Sequence, residues 1–159
     1  MSPLKARETD DSMDITDIAS RLVSETSDGI LISDREGVIR LWNGGCERIF
    51  GHSVEDALGK PLDIIIPENL RNRHRQGHDQ TMRTGHTRYG AGDLLSVPAL
   101  RKDGTRISVE FSITPFRDDE GRIVALAAIM RDVTKRFEEF KALRKAAAGA
   151  QEPTEVGSR

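Results

Sequence analysis

Three of the chain's four histidines, His74, His78 and His86, fall within Arg71–Arg88, beside Arg71, Arg73, Arg75, Arg83 and Arg88. Within that stretch only Asp79 opposes the positive charge. His74 and His78 stand four residues apart, the spacing that sets two side chains on one face of a helix. Leu70, Thr81 and Met82 share that face, so a helix that turns Leu70 inward turns one of the two imidazoles inward as well. A buried neutral imidazole can ligate iron. Guanidinium groups beside it can hold carboxylates through paired, charge-assisted bonds. Two plainer readings stand next to this one. An Arg/His-rich helix is ordinarily a solvated face, and an inward His is ordinarily a hydrogen-bonded core residue. The same basic strip can also attract an anionic metabolite or an acidic protein surface. A zinc pair fits the His74–His78 spacing, yet no Glu adjoins the first His and no third ligand is evident.

The rest of the chain offsets this local charge. In 159 residues, 24 basic and 26 acidic side chains leave a net charge of −2. That balance argues against wholesale attraction to nucleic acid or anionic lipid. A single Cys excludes a disulfide framework and a multi-Cys metal centre. No apolar run approaches the ~18 residues of a membrane span, and no signal segment opens the chain. The expectation is one cytoplasmic domain. No residues align as nucleophile and base, and the stretches Asn43-Gly44-Gly45 and Gly90-Ala91-Gly92 lack the spacing of a phosphate-cradling loop, so no enzyme is expected.

The elements that must position the histidine helix follow from periodicity. Ile15, Ile18, Ala19, Leu22 and Val23 predict an amphipathic helix from about Asp14 to Ser27, broken at Asp28-Gly29. Ile30–Ser33 and Val38–Trp42, joined at Asp34-Arg35-Glu36-Gly37, predict a hairpin. Asn43 is placed to cap a short helix that Gly51 ends, and Ser53 to open another that Gly59 ends. Pro67 to Thr84 reads as one longer helix, closed by Gly85. Leu94–Leu100, then Ile107, Val109, Phe111 and Ile113 in strict alternation, then Ile123–Val133, predict three closing strands with one buried face. A last amphipathic helix from Thr134 carries Phe137, Phe140 and Leu143. Whether that stripe meets a partner helix or its own sheet is not decided by periodicity. The order predicts an α+β domain with a five-stranded antiparallel sheet, short central helices and flanking terminal helices. The boundaries are a disordered arm at 1–11, an N-terminal flanking helix at 12–28, a core at 29–134, an amphipathic helix at 135–148 and a disordered tail at 149–159.

This pattern resembles the PAS family of sensory domains. The resemblance is carried by Asp34-x-x-Gly37-x-Ile39 before Trp42-Asn43, Phe50-Gly51, Glu55 with Leu58-Gly59-Lys60, Arg101-Lys102-Asp103-Gly104, and Arg131-Asp132-Val133-Thr134, together spanning about residues 16–134. It implies the PAS fold, a sensory role, and output through flanking helices at Asp132, Thr134, Phe137 and Phe140. The implied partners are a second copy and a histidine kinase or transcriptional regulator acting in trans. Pro67-Glu68 followed by Arg71-x-Arg73-His74 is similar to the haem-binding members among rhizobial oxygen-sensing kinases. That implies haem b on His74, with His78 as the fallback ligand, Arg73 and Arg88 near the propionates, and Leu70, Met82, Leu95, Ile113 and Ile129 around the ring. Leu62, Ile64, Ile107, Val109 and Ala127 are further candidates for that pocket. Two departures weaken oxygen chemistry: no Arg lies between Ala91 and Leu95, and Gln80 stands where the resemblance implies an Arg. Light-sensing relatives carry Asn-Cys-Arg-Phe-Leu-Gln, which is absent here, so Cys46 reads as a small buried apolar residue. The alternative to a cofactor-binding sensor is a cofactor-free interaction or dimerisation module.

Overall fold

Alternation along the longest strand sets the architecture. Ile107 and Val109 are buried on one face of Arg106–Arg117, and Ala99, paired with Ile107 on the neighbouring strand, is buried with them. The computed structural model describes residues 14–88, 90 and 92–150. The arm expected at 1–11 lies outside them, as does the tail expected from 149 apart from Gly149 and Ala150. The elements run α1 (Ile15–Glu25), β1 (Gly29–Asp34), β2 (Ile39–Trp42), α2 (Gly44–Phe50), α3 (Val54–Ala57), α4 (Arg71–Thr84), β3 (Leu95–Leu100), β4 (Arg106–Arg117), β5 (Ile123–Asp132) and α5 (Thr134–Gly149). Among the described residues no helix is long and apolar enough to cross a membrane.

The five strands form one antiparallel sheet in the order β2-β1-β5-β4-β3. This is the expected α+β architecture. Its inner face carries Leu31, Trp42, Ala99, Ile107, Val109, Ala128 and Met130, packed against Cys46, Ile49, Phe50, Ala57 and Ile65 from the helical side. Phe50 is fully buried, and removing such a side chain from water contributes about 3 kcal/mol. The outer face carries Ile30 opposite Ile129 and Ile32 opposite Ala127, and Ile129 is 47% exposed.

The helices begin and end where local chemistry dictates. The Asn43 Oδ1 accepts from the Cys46 N–H at 3.0 Å, and the Ser53 hydroxyl accepts from the Asp56 N–H at 3.1 Å, capping α2 and α3. One expectation is corrected: Pro67–Thr84 is not a single helix. A 3-10 turn occupies Glu68–Leu70, Leu70 sits at φ −108°, ψ −9°, and only then does α4 start. Pro67 restricts the approach, and the tighter turn satisfies the first free backbone groups before the wider helix begins.

Candidate functional site

The histidine helix is polar around nearly its whole circumference, and Met82 is its buried residue. Its fixings are therefore polar. Near its start, the Arg71 Nε donates to the Ile66 carbonyl at 3.1 Å, and Arg75 forms an ion pair with Asp63. Midway, His78 Nε2 lies 2.9 Å from the Arg35 carbonyl oxygen in the β1–β2 turn. A carbonyl only accepts, so His78 carries its proton on Nε2 in that bond. Near its end, Arg35 donates to the Met82 carbonyl at 3.3 Å, and Arg117 donates to the Gly85 carbonyl at 2.9 Å. Two guanidiniums thus meet the negative end of the helix dipole. Gly85 closes the helix at φ +73°, a conformation that glycine adopts without the steric cost of a side chain.

His74 and His78 come together, with ring centroids 6.3 Å apart. They border a cleft of about 170 Å³ whose other walls are Glu36, Gly37, Pro61, Leu62, Asp63, Arg75 and Asp79. His74 is exposed and His78 half-buried. Crowding by the surrounding protein, then the neighbouring His78 ring, hold the His74 imidazole below its ordinary range. Arg75 adds to this and Asp63 opposes it.

The other residues expected around a haem do not converge on this pair. Arg73 and Arg88 are exposed, Leu70, Leu95 and Ile113 are half-buried, and Met82 is buried outside the main core. Ile107 and Val109 are enclosed in the core. Ile129 and Ala127 point away from the helices on the outer sheet face, which corrects their expected place in an internal pocket. The expectation that Leu70 would carry a histidine into the core is corrected as well: His74 faces a carboxylate-lined cleft between α4, the β1–β2 turn and the Leu62–Ile65 turn. Pockets for drug-sized ligands run to about 300–1,000 Å³, so this cleft is small for a tetrapyrrole. In this arrangement the residues do not fit haem b. Among the described residues no three His, Cys, Asp or Glu side chains are grouped to hold a metal ion. Cys46 is buried, and desolvation pushes its thiol up to about 12, so it is no nucleophile at neutral pH.

The terminal helices form the other candidate surface. Thr134 starts α5 with its N–H donating to Asp132 Oδ1 at 2.9 Å and its hydroxyl accepting from the Ser108 N–H at 3.0 Å. Arg136 then pairs with Glu110 at 2.7 Å. Beyond that turn the helix buries nothing: Phe137, Phe140 and Leu143 are 43%, 57% and 69% exposed. The stripe does not pack on its own sheet. At the other end, Asn43 ties α1 to the core. Its Nδ2 donates to the carbonyls of Val23 (2.8 Å) and Asp28 (2.9 Å), while Oδ1 also accepts from the Ile30 N–H at 2.8 Å. Sequence reasoning saw Asn43 only as a cap and missed Arg35 and Arg117 altogether. Their partners at α4 and β5, Met82, Gly85 and Ile123, lie 32 to 88 residues away, beyond any local signal.

The family model described as PAS fold matches residues 23–138. An uncharacterized protein of Azorhizobium caulinodans is 33% identical over 135 residues, 84% of this chain and 18% of that one. The sensor protein FixL of Bradyrhizobium diazoefficiens is 30% identical over 108 residues, 68% of this chain and 21% of that one. This chain therefore spans about a fifth of the length of the curated relatives it matches. The PAS domain of a Colwellia psychrerythraea protein has a TM-score of 0.64 at 23% identity, over 77% of this chain and 99% of that chain, a likeness that shows the fold.

Proposed function

Since the chain belongs to the PAS fold family, we propose that it is a sensory and transmitting module of a signalling protein, and that its output surface is the uncovered apolar stripe of α5. That stripe carries the reading: Phe137, Phe140 and Leu143 are all exposed on a helix whose first turn is pinned to β4. Large apolar side chains left exposed together on a firmly anchored helix mark a docking face. The partner is a second copy of the chain, with a histidine kinase or transcriptional regulator receiving the signal in trans. The resemblance to a sensor protein supports this class of partner.

Sedimentation of the wild type against the Phe137→Glu, Phe140→Glu double variant tests the reading. A wild-type dimer that the double variant converts to a folded monomer supports it. A wild type that stays monomeric and captures no partner kinase through α5 sinks it. The haem reading is checked separately, by adding haem to the purified protein. The geometry at His74 leads us to expect no stoichiometric Soret band. A band lost in His74→Ala and kept in His78→Ala would restore that reading.

A further inference from the structure

Within the basic strip Arg71, Arg75 and His78 bond the chain's own oxygens, and Arg35 and Arg117 reach the helix from outside it, a placement that gives α4 a different role. Arg35 bridges three elements: its guanidinium reaches the carbonyls of Met82 on α4 and Ile123 on β5, and its own carbonyl takes the His78 bond. Arg117 joins the Gly85 carbonyl to that of Gly121 in the β4–β5 turn, at 2.9 and 3.0 Å. Arg71 and Arg75 fasten the opposite end. Met82 and Ile123 are buried, yet neither belongs to the main core cluster. Beyond that cluster the inner sheet face continues through half-buried Ile113, Pro115 and Leu126 toward the β4–β5 turn, where Arg117 and Ile123 stand.

Polar fixings near the surface exchange readily for bonds to water and contribute little net free energy. Resistance to opening comes from buried apolar area, and α4 supplies one side chain of it. Segments with few buried apolar contacts open well before the global unit. Both ends of α4 can also redirect the chain, through the 3-10 turn after Pro67 and the left-handed Gly85.

We infer that α4 is a separately opening cover, hinged at Pro67–Leu70 and at Gly85. In this role Arg35, His78 and Arg117 are its latches, and opening exposes Met82, Ile113, Pro115 and Leu126. The inference rests on the fold and its hydrogen bonds and is independent of the output surface on α5.

Hydrogen exchange of the full chain under native conditions, read by mass spectrometry, tests it. Amides of α4 exchange at least ~100-fold faster than those of β1, β4 and β5. Arg35→Gln speeds α4 by a further ~10-fold and leaves Leu126–Met130 unchanged. Arg117→Gln does the same from the other turn. The dye 8-anilinonaphthalene-1-sulfonate gains fluorescence with either variant while the sheet stays protected. Exchange of α4 in step with the sheet in the wild type overturns the inference, and that measurement needs no variant to fold. Equal acceleration of α4 and the sheet by both variants overturns it too. An unchanged dye signal in variants whose α4 exchanges faster overturns the exposure of the apolar strip.

Discussion

Asn43 and His78 each sit where a helix meets the body of the fold, and the two joints are built in opposite ways. Asn43 is buried, and its amide serves four backbone groups at once, on α1, on the segment before β1, on β1 itself and on α2. Around it the backbones approach so closely that a Cβ at Gly45 would stand 2.0 Å from the Asp28 carbonyl oxygen. His78 is half-buried and makes one described bond, to a turn carbonyl, beside a cleft open to solvent. The first joint holds because breaking it strands buried polar groups. The second holds only as well as a few exposed bonds compete with water. Both are hydrogen-bonded on paper, so burial of the partners is what separates a rigid joint from a yielding one.

The largest effect expected from this comparison is at Gly45. Gly45→Ala forces a methyl into the Asp28 backbone and costs about 3 kcal/mol or more, read from the urea midpoint. Asn43→Ala follows at about 2–4 kcal/mol, because the Ile30 and Cys46 N–H groups lose their acceptor. A loss under about 1 kcal/mol for Asn43→Ala would erase the distinction between the joints. His78→Ala is expected to cost about 0.5–1.5 kcal/mol, with the change confined to α4 exchange. If its cost matches that of Asn43→Ala, α4 is part of the main core.

The smallest effect is the pH response of His74. Its folded-state value lies below the unfolded one, so the folded state binds fewer protons. The contribution of the neutral ring is therefore complete above the ordinary histidine value of about 6.5 and is lost as pH falls through and below it. His74→Gln removes that penalty. Urea midpoints of variant and wild type should converge near pH 8 and separate in favour of the variant near pH 5. Separation in the opposite sense would mean that Asp63 outweighs both the crowding and the His78 ring.

Much of the fold was legible because its signals are local. The alternation of Ile107, Val109, Phe111 and Ile113, the turn at Asp34–Gly37, and the caps Asn43 and Ser53 are each read within a few residues. The break at Leu70 was not legible, since Pro67 is compatible with a helix start and the 3-10 turn differs from it by one hydrogen-bond register. The site was legible only in part. The i, i+4 spacing correctly brought His74 beside His78. It could not say which way that pair turns, because a helix with one buried residue has almost no apolar face to orient it.

Taken alone, the amino-acid order determined the α+β class, the resemblance to PAS domains, and the concentration of Arg and His in one helix, all of which depend on residue type and short-range period. The tertiary structure decided where that concentration lies and which groups it meets. Arg35 in the β1–β2 turn and Arg117 at the end of β4 donate to the carbonyls that close the Arg/His helix, and His74 borders a small polar cleft instead of an apolar interior. The physical reason is that a guanidinium binds whichever oxygen the fold brings near it, and composition carries no record of that oxygen.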